Sequence, residues 1–130
     1  MTVKTEKPSQ LRVLVTAGAS GIGRVIAESF AQTGARLHIC DIADAALSEA
    51  KKTHPTWGVS RCDVSQSDQV AGLFEEVGNN LGGLDVLINN AGIAGPTGGV
   101  EEITADDWRR TVDINLNSQF YCVNRAVPLL

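Results

Sequence analysis

The chain has 130 residues, the length of about one ordinary domain. With 43% hydrophobic and 20% charged residues, its composition is globular rather than disordered. A formal net charge of −4 argues against the basic footprint that nucleic acid or an anionic membrane requires, so neither is expected as a partner. No run approaches the roughly 18 apolar residues of a membrane span. Residues 1–10 form a polar tail without an apolar stretch, so no secretory signal is expected. Cys40, Cys62 and Cys122 lack metal-type spacing and are odd in number. They read as reduced, buried thiols of a cytoplasmic protein, with no metal site.

Taken in chain order, segments alternate in type. Leu11–Thr16 is a short apolar, β-rich run. Gly21–Thr33 carries Ile22, Val25, Ile26 and Phe30 at helical spacing, and Gly34 follows as a helix-ending glycine. Leu37–Cys40 is a second strand ending in Asp41, and Ala43–Thr53 a weaker helix with Pro55 beyond it. Trp57–Cys62 is a third strand. Ser65–Asn80 is a helix in which Ser65 and Asp68 have capping-box spacing and Val70, Leu73, Phe74 and Val77 line one face. Leu84–Ile88 is a fourth strand, with enough apolar residues for burial on both sides. A glycine-rich loop covers Asn89–Gly99, and Thr104 with Asp107 caps a last helix. Four strand–helix repeats demand crossovers, and hence an α/β fold: a doubly wound parallel sheet with helices on both faces. Residues 11–130 read as part of one domain, with no linker or internal repeat.

The turn after the first strand reads Thr16-Ala17-Gly18-Ala19-Ser20-Gly21-Ile22-Gly23. Small residues there allow close approach of a diphosphate, and the helix that follows offers free N–H donors and a partial positive charge. Asp41 ends the second strand, 18 residues after Gly23, where a carboxylate can accept hydrogen bonds from both ribose hydroxyls of an adenosine and would repel a 2′-phosphate. Turn, helix and acid together point to dinucleotide binding.

These residues resemble the short-chain dehydrogenase/reductase family. Its Thr-Gly-x-x-x-Gly-x-Gly turn is matched by Thr16, Ala17, Gly21 and Gly23, its Asp-Val after strand three by Asp63-Val64, its Asn-Asn-Ala-Gly after strand four by Asn89-Asn90-Ala91-Gly92, and its helix Asn by Asn115. The resemblance implies a Rossmann-type fold in the strand order 3-2-1-4. It also implies hydride transfer between a nicotinamide and an alcohol or carbonyl substrate, of alcohol, sugar, steroid or 3-oxoacyl type. The cofactor contacts it implies are Ala17, Ser20, Gly21, Ile22, Asp41, Asp63, Val64, Asn90, Ala91 and Gly92. Asp63 would accept from the adenine amino group, Asn90-Ala91-Gly92 would floor the cofactor ribose, and Asn89 would tie neighbouring strands. Asn115 inherits a catalytic role, helping to hold a water of the proton relay by locally distorting its helix. Basic residues that often accompany NADP binding are absent at Ser20 and Ile42, so NAD is expected over NADP. A homodimer or homotetramer is implied, pairing through the Asn115 helix with Leu116, Phe120 and Val123 as its apolar stripe.

The family's leading glycine is Ala17 here, and a positive φ there would cost of order 1 kcal/mol. The resemblance places the family's Ser and Tyr-x-x-x-Lys after Leu130. Tyr121 with Arg125 copies the spacing only superficially, because Tyr121 lies six residues after Asn115, roughly 120° around the helix. A fourth strand left as an open apolar edge invites aggregation, so a longer chain or a second chain is expected to complete the sheet. The second reading is a non-catalytic NAD-binding sensor or structural module; a methyltransferase leaves Asn89–Gly92 and Asn115 unaccounted for. His38, His54 and the Glu75-Glu76 pair read as structural or surface residues, and Trp108 as core or interface. Gly95–Gly99 borders a substrate entrance or is a flexible loop.

Overall fold

The computed structural model describes residues 10–130; apart from Gln10, the expected polar tail lies outside them. Four strands, β1 (Arg12–Thr16), β2 (Arg36–Asp41), β3 (Gly58–Arg61) and β4 (Val86–Ile88), form one sheet in the order β3-β2-β1-β4. Every pairing is parallel, with Val13 opposite Leu37 and Val86, and His38 opposite Gly58. The sequence-based order and fold class hold.

Helices α1 (Gly21–Gln32) and α2 (Asp44–Thr53) bury Ala27, Leu47 and Ala50 in a cluster with Val13, Val15, Leu37, Ile39 and Trp57. Helix α3 (Ser67–Leu81) places Val70, Leu73, Phe74 and Val77 in a second cluster with Leu14, Cys40 and Cys62. Cys122 and Ala126 of α5 (Ser118–Ala126) join that second cluster. The strands therefore alternate strictly between two faces, as a half-turn per residue requires. Gly34 (φ 88°) ends α1 and Gly82 (φ 76°) ends α3, both in the left-handed conformation that glycine adopts without penalty.

Three local expectations are corrected. Helix α3 starts at Ser67 without a side-chain cap, because the Ser65 N–H and hydroxyl both donate to Asp63 Oδ1, at 3.0 and 2.7 Å. A serine folded back onto an acid two residues earlier is not available to cap a helix. The fourth strand is only three residues long and half-buried rather than buried on both sides. It has a strand neighbour on one side alone among the described residues, and Leu84 N–H turns away to Leu129 O at 3.2 Å. Of the two readings of Trp108, core or interface, the core one falls, since it is 62% exposed. At the opposite end of the sheet from the glycine turn, the Arg12 guanidinium holds the Asp85 carboxylate through two contacts of 2.9 and 3.1 Å, pinning β1 to the start of β4.

The last helical region is not one regular helix. Thr104 caps α4 (Ala105–Val112), its hydroxyl accepting from Asp107 N–H at 3.1 Å. A π-helical turn over Asp113–Asn117 then leads into α5, and a 3-10 turn, Val127–Leu129, follows.

Candidate functional site

At the C-terminal ends of the strands lies a cavity of about 310 Å³, lined by Ala17, Ser20, Asp41, Asp63, Val64, Asn90, Ala91 and Gly92 among others. Crevices at strand C-termini, where neighbouring connections diverge, are where open α/β sheets take ligands. Eight of the ten proposed cofactor contacts thus meet in one place. Gly21 and Ile22 do not line it; they form the first turn of α1 alongside, where Ile22 is 75% exposed.

The glycine turn is held in a demanding shape. Ala17 sits at φ 50°, the left-handed value the family's glycine would take freely, and Gly21 is at φ 58°. Gly18 does not share the strain. Its role is steric, since a Cβ there would lie 2.8 Å from Ile39 Cγ2 and 2.9 Å from Val15 O. A Cβ on Gly23 would meet Ala17 O at 2.3 Å. Ser20 precedes α1 in extended conformation, its hydroxyl makes no cap, and the first turn of α1 carries no acid. The positive end of α1 is therefore uncompensated by its own sequence, as an anion site requires.

Asp41 is aimed by three main-chain donors: Ile42 N–H (2.8 Å) and Ala43 N–H (3.3 Å) to Oδ1, and Ala19 N–H (3.3 Å) to Oδ2. Asp63 is fixed by Ser65 through one oxygen, while its own N–H donates to Gln69 Oε1 at 2.8 Å. Asn90 does more than floor the cavity. Its Nδ2 donates to Thr16 O (3.1 Å) and Ala17 O (3.3 Å), holding the strained turn. Asn90 and not Asn89 ties the neighbouring strands; Asn89 Nδ2 reaches Gln119 O on α5 at 3.5 Å. Thr16 completes the tie, its hydroxyl accepting from Asn90 N–H at 2.9 Å and Ala91 N–H at 3.0 Å. Position alone could have flagged Thr16 as the last residue of a strand facing the next strand's loop.

Asn115 lies inside the π-helical turn. Its Oδ1 accepts from Ile93 N–H at 2.8 Å and its Nδ2 donates to Ile93 O at 2.7 Å, so the whole amide is committed to the loop after β4. It does not itself line the cavity, whereas its neighbour Ile114 does, together with Ile93, Cys62 and Arg110. Those four escaped the sequence reading, because no spacing rule marks a residue brought in from a distant helix or a buried thiol. Tyr121 packs against the α3/α5 core, edge-on to Phe120, away from the cavity.

The fit to an adenine dinucleotide rests on this geometry: a cradle that Cβ atoms would fill, an uncompensated helix start, and an aimed carboxylate beside it. Residues 16–130 match the family model described as enoyl-(acyl carrier protein) reductase. A 3beta-hydroxysteroid dehydrogenase of Mediterraneibacter gnavus is 38% identical over 122 residues, covering 91% of this chain and 44% of its own length. A 2-dehydro-3-deoxy-L-rhamnonate dehydrogenase (NAD(+)) of a Sphingomonas species is 36% identical, over 90% of this chain and 47% of its own. Among solved structures, a short chain dehydrogenase from Mycobacterium smegmatis superposes with a TM-score of 0.86 at 30% identity, covering 92% of this chain and 51% of that one. The chain spans about half the length of the relatives it matches. With its turn, acids, Asn-Asn-Ala-Gly loop and distorted helix in the family's places, the chain belongs to the short-chain dehydrogenase/reductase family.

Proposed function

We propose that residues 11–130 are the N-terminal, cofactor-binding portion of a single Rossmann-fold domain in an NAD-dependent oxidoreductase. The protein exchanges a hydride between nicotinamide and an alcohol or carbonyl substrate. The observation that carries this reading is the convergence of Ala17, Ser20, Asp41, Asp63, Val64 and Asn90–Gly92 on one cavity. When bound, the nicotinamide supplies the hydride acceptor or donor. The chain's own residues bind and orient it. Ser20 and the N-terminus of α1, with Gly21 and Ile22, take the diphosphate; Asp41 takes the adenosine ribose; Asp63 and Val64 take the adenine. Ala91 and Gly92 keep the floor low, where a Cβ on Gly92 would approach Asn115 Oδ1 to 3.2 Å.

NAD is favoured over NADP because Asp41 would face the extra phosphate of NADP, and neither Ser20 nor Ile42 offers a compensating cation. Asn115 takes the family's part in the proton relay through the π turn it occupies, since its side-chain amide is already bonded to Ile93. Self-association runs through the outer face of the last helical region, where Leu116 and Phe120 are each 64% exposed and Val123 is 44% exposed. No helix of the described residues is long and apolar enough to cross a membrane, and the thiols, free and buried, suit the reducing cytoplasm.

The test is turnover by the full-length protein with NADH and a panel of ketones, sugar lactones and steroid ketones. Substrate-dependent loss of NADH absorbance is expected. NADH binding with no turnover across the panel would favour the non-catalytic module instead.

A further inference from the structure

The charged residues that line the cavity are Asp41, Asp63 and Arg110. The two acids have proposed ligands. Arg110, exposed and brought in from α4, has none. Other arginines of the chain are committed. Arg12 is held by Asp85, Arg24 by Glu49 and Arg61 by Asp44, while Arg36 donates to Asn80 O and Leu81 O. The acids nearest Arg110 in sequence are engaged elsewhere or stand aside. Arg109 takes Asp106 at 2.7 Å, and Asp113 Oδ1 accepts from Asn117 Nδ2 at 2.8 Å. Asp107 shares with Arg110 a neighbouring depression of about 280 Å³, yet no ion pair joins them. Among the described residues, the Arg110 guanidinium has no ion pair or hydrogen bond.

We infer that Arg110 is a further cofactor-binding residue, its guanidinium stacking on the face of the adenine that the rest of the wall leaves open. This rests on the cofactor reading above. Arg110 and Ile114 both line the cavity and stand four residues apart, so they share one side of it, as such pairs share a helix face. Ile42, Val64, Ile93 and Ile114 make that wall apolar around Asp63, the acceptor proposed for the adenine amino group. A flat heteroaromatic ring suits such a wall, whereas a phosphate would be desolvated there with few donors. The diphosphate has its own cradle at the start of α1, where Ser20 and Gly21 lie.

The choice of side chain fits the task. A guanidinium is planar, weakly hydrated and carried on a long stem, and it stacks on π faces in a way that the compact lysine ammonium does not. Because Arg110 holds no carboxylate, it gives up no ion pair in turning onto the base.

Calorimetric titration of the full-length protein with NAD tests the inference by comparing the wild type with Arg110→Met, Arg110→Lys and Arg125→Met. The last removes another exposed arginine that lies outside the cavity. Arg110→Met should weaken NAD about three- to tenfold. The factor should be the same at about 0.1 and 0.5 M salt, since a stacked contact is screened far less than a pairing across solvent. Arg110→Lys keeps the charge but not the plane, and should recover less than half of the loss. Arg125→Met should bind as the wild type does. Unaltered affinity in Arg110→Met, a loss that disappears at the higher salt, full recovery by lysine, or an equal loss in Arg125→Met overturns the inference. The second and third of these outcomes mark a phosphate contact or long-range attraction instead. If the wild type binds no NAD, the cofactor reading falls and takes this inference with it. If the wild type binds NAD and Arg110→Met matches it, the inference alone falls.

Discussion

Toward α1 and α2, the strands present Val13, Val15, Leu37 and Ile39, none more than 2% exposed and none with a polar atom beyond the main chain. Toward α3 and α5, β1, β2 and β3 present Leu14, Thr16, His38, Cys40 and Ser60, none more than 6% exposed but chemically mixed. On that second face a directed chain of hydrogen bonds runs from α3 through the sheet and back. Asn80 Nδ2 donates to His38 Nδ1 at 3.1 Å, His38 Nε2 donates to Ser60 Oγ at 2.7 Å, and Ser60 donates to Glu76. The chain assigns the imidazole its neutral, Nε2-protonated form, and Glu76 is not merely one of a pair of solvated charges. One face therefore supplies pH-independent cohesion. The other carries the titratable imidazole and the thiol of Cys40.

The largest effect that would sharpen this contrast is a cavity on the apolar face. Ile39→Ala should cost about 2–5 kcal/mol in denaturant unfolding, with the loss constant between pH 4 and 7. The mixed face should respond to pH instead. Burial lowers the His38 pKa to about 4, against the attraction of Glu76. A histidine depressed in the folded state is protonated first in the unfolded chain, so its contribution is complete above about 6.5 and fades as the pH falls toward 4. The shift corresponds to a loss of order 3 kcal/mol over that window. A pH series of unfolding curves checks it. His38→Gln should flatten the slope, and an unchanged slope would dissolve the distinction between the faces.

Smaller effects test the turn that the two faces share. Asn90→Ala removes two donors to Thr16 and Ala17 carbonyls and should cost about 1–2 kcal/mol, with NAD affinity falling alongside stability. Ala17→Gly should do the reverse, gaining about 1 kcal/mol in thermal or denaturant unfolding by relieving the left-handed alanine at φ 50°.

The fold was legible because its signals are local and repeated. Leu14 and Val15 in an apolar run, Val70, Leu73 and Phe74 at helical spacing, and Gly34 after the last periodic residue each announce an element without tertiary help. Strain at Ala17 was legible too, since an alanine stands where the family keeps glycine. What stayed hidden depends on contacts between distant segments. Ser65 has the spacing of a cap but is claimed by Asp63. Leu84 has the composition of a strand but is drawn to Leu129. Asn89 and Asn90 are alike in sequence, and only the meeting of β1 with β4 gives Asn90 the tie. Cys62 and Arg110 carry no motif, yet the packing of β3 and α4 brings both to the cavity.

In the proposed function, Asp41 receives an adenosine ribose at the end of β2 and thereby sets the choice of coenzyme. Calorimetric titration of the full-length protein and its Asp41→Ala variant with NAD and with NADP tests it directly. The wild type should bind NAD at least tenfold more tightly than NADP, and the variant should lose about ten- to a hundredfold in NAD affinity while its discrimination collapses. Equal affinity of the two proteins for both coenzymes, or no binding of either coenzyme by the wild type, would overturn that role of Asp41.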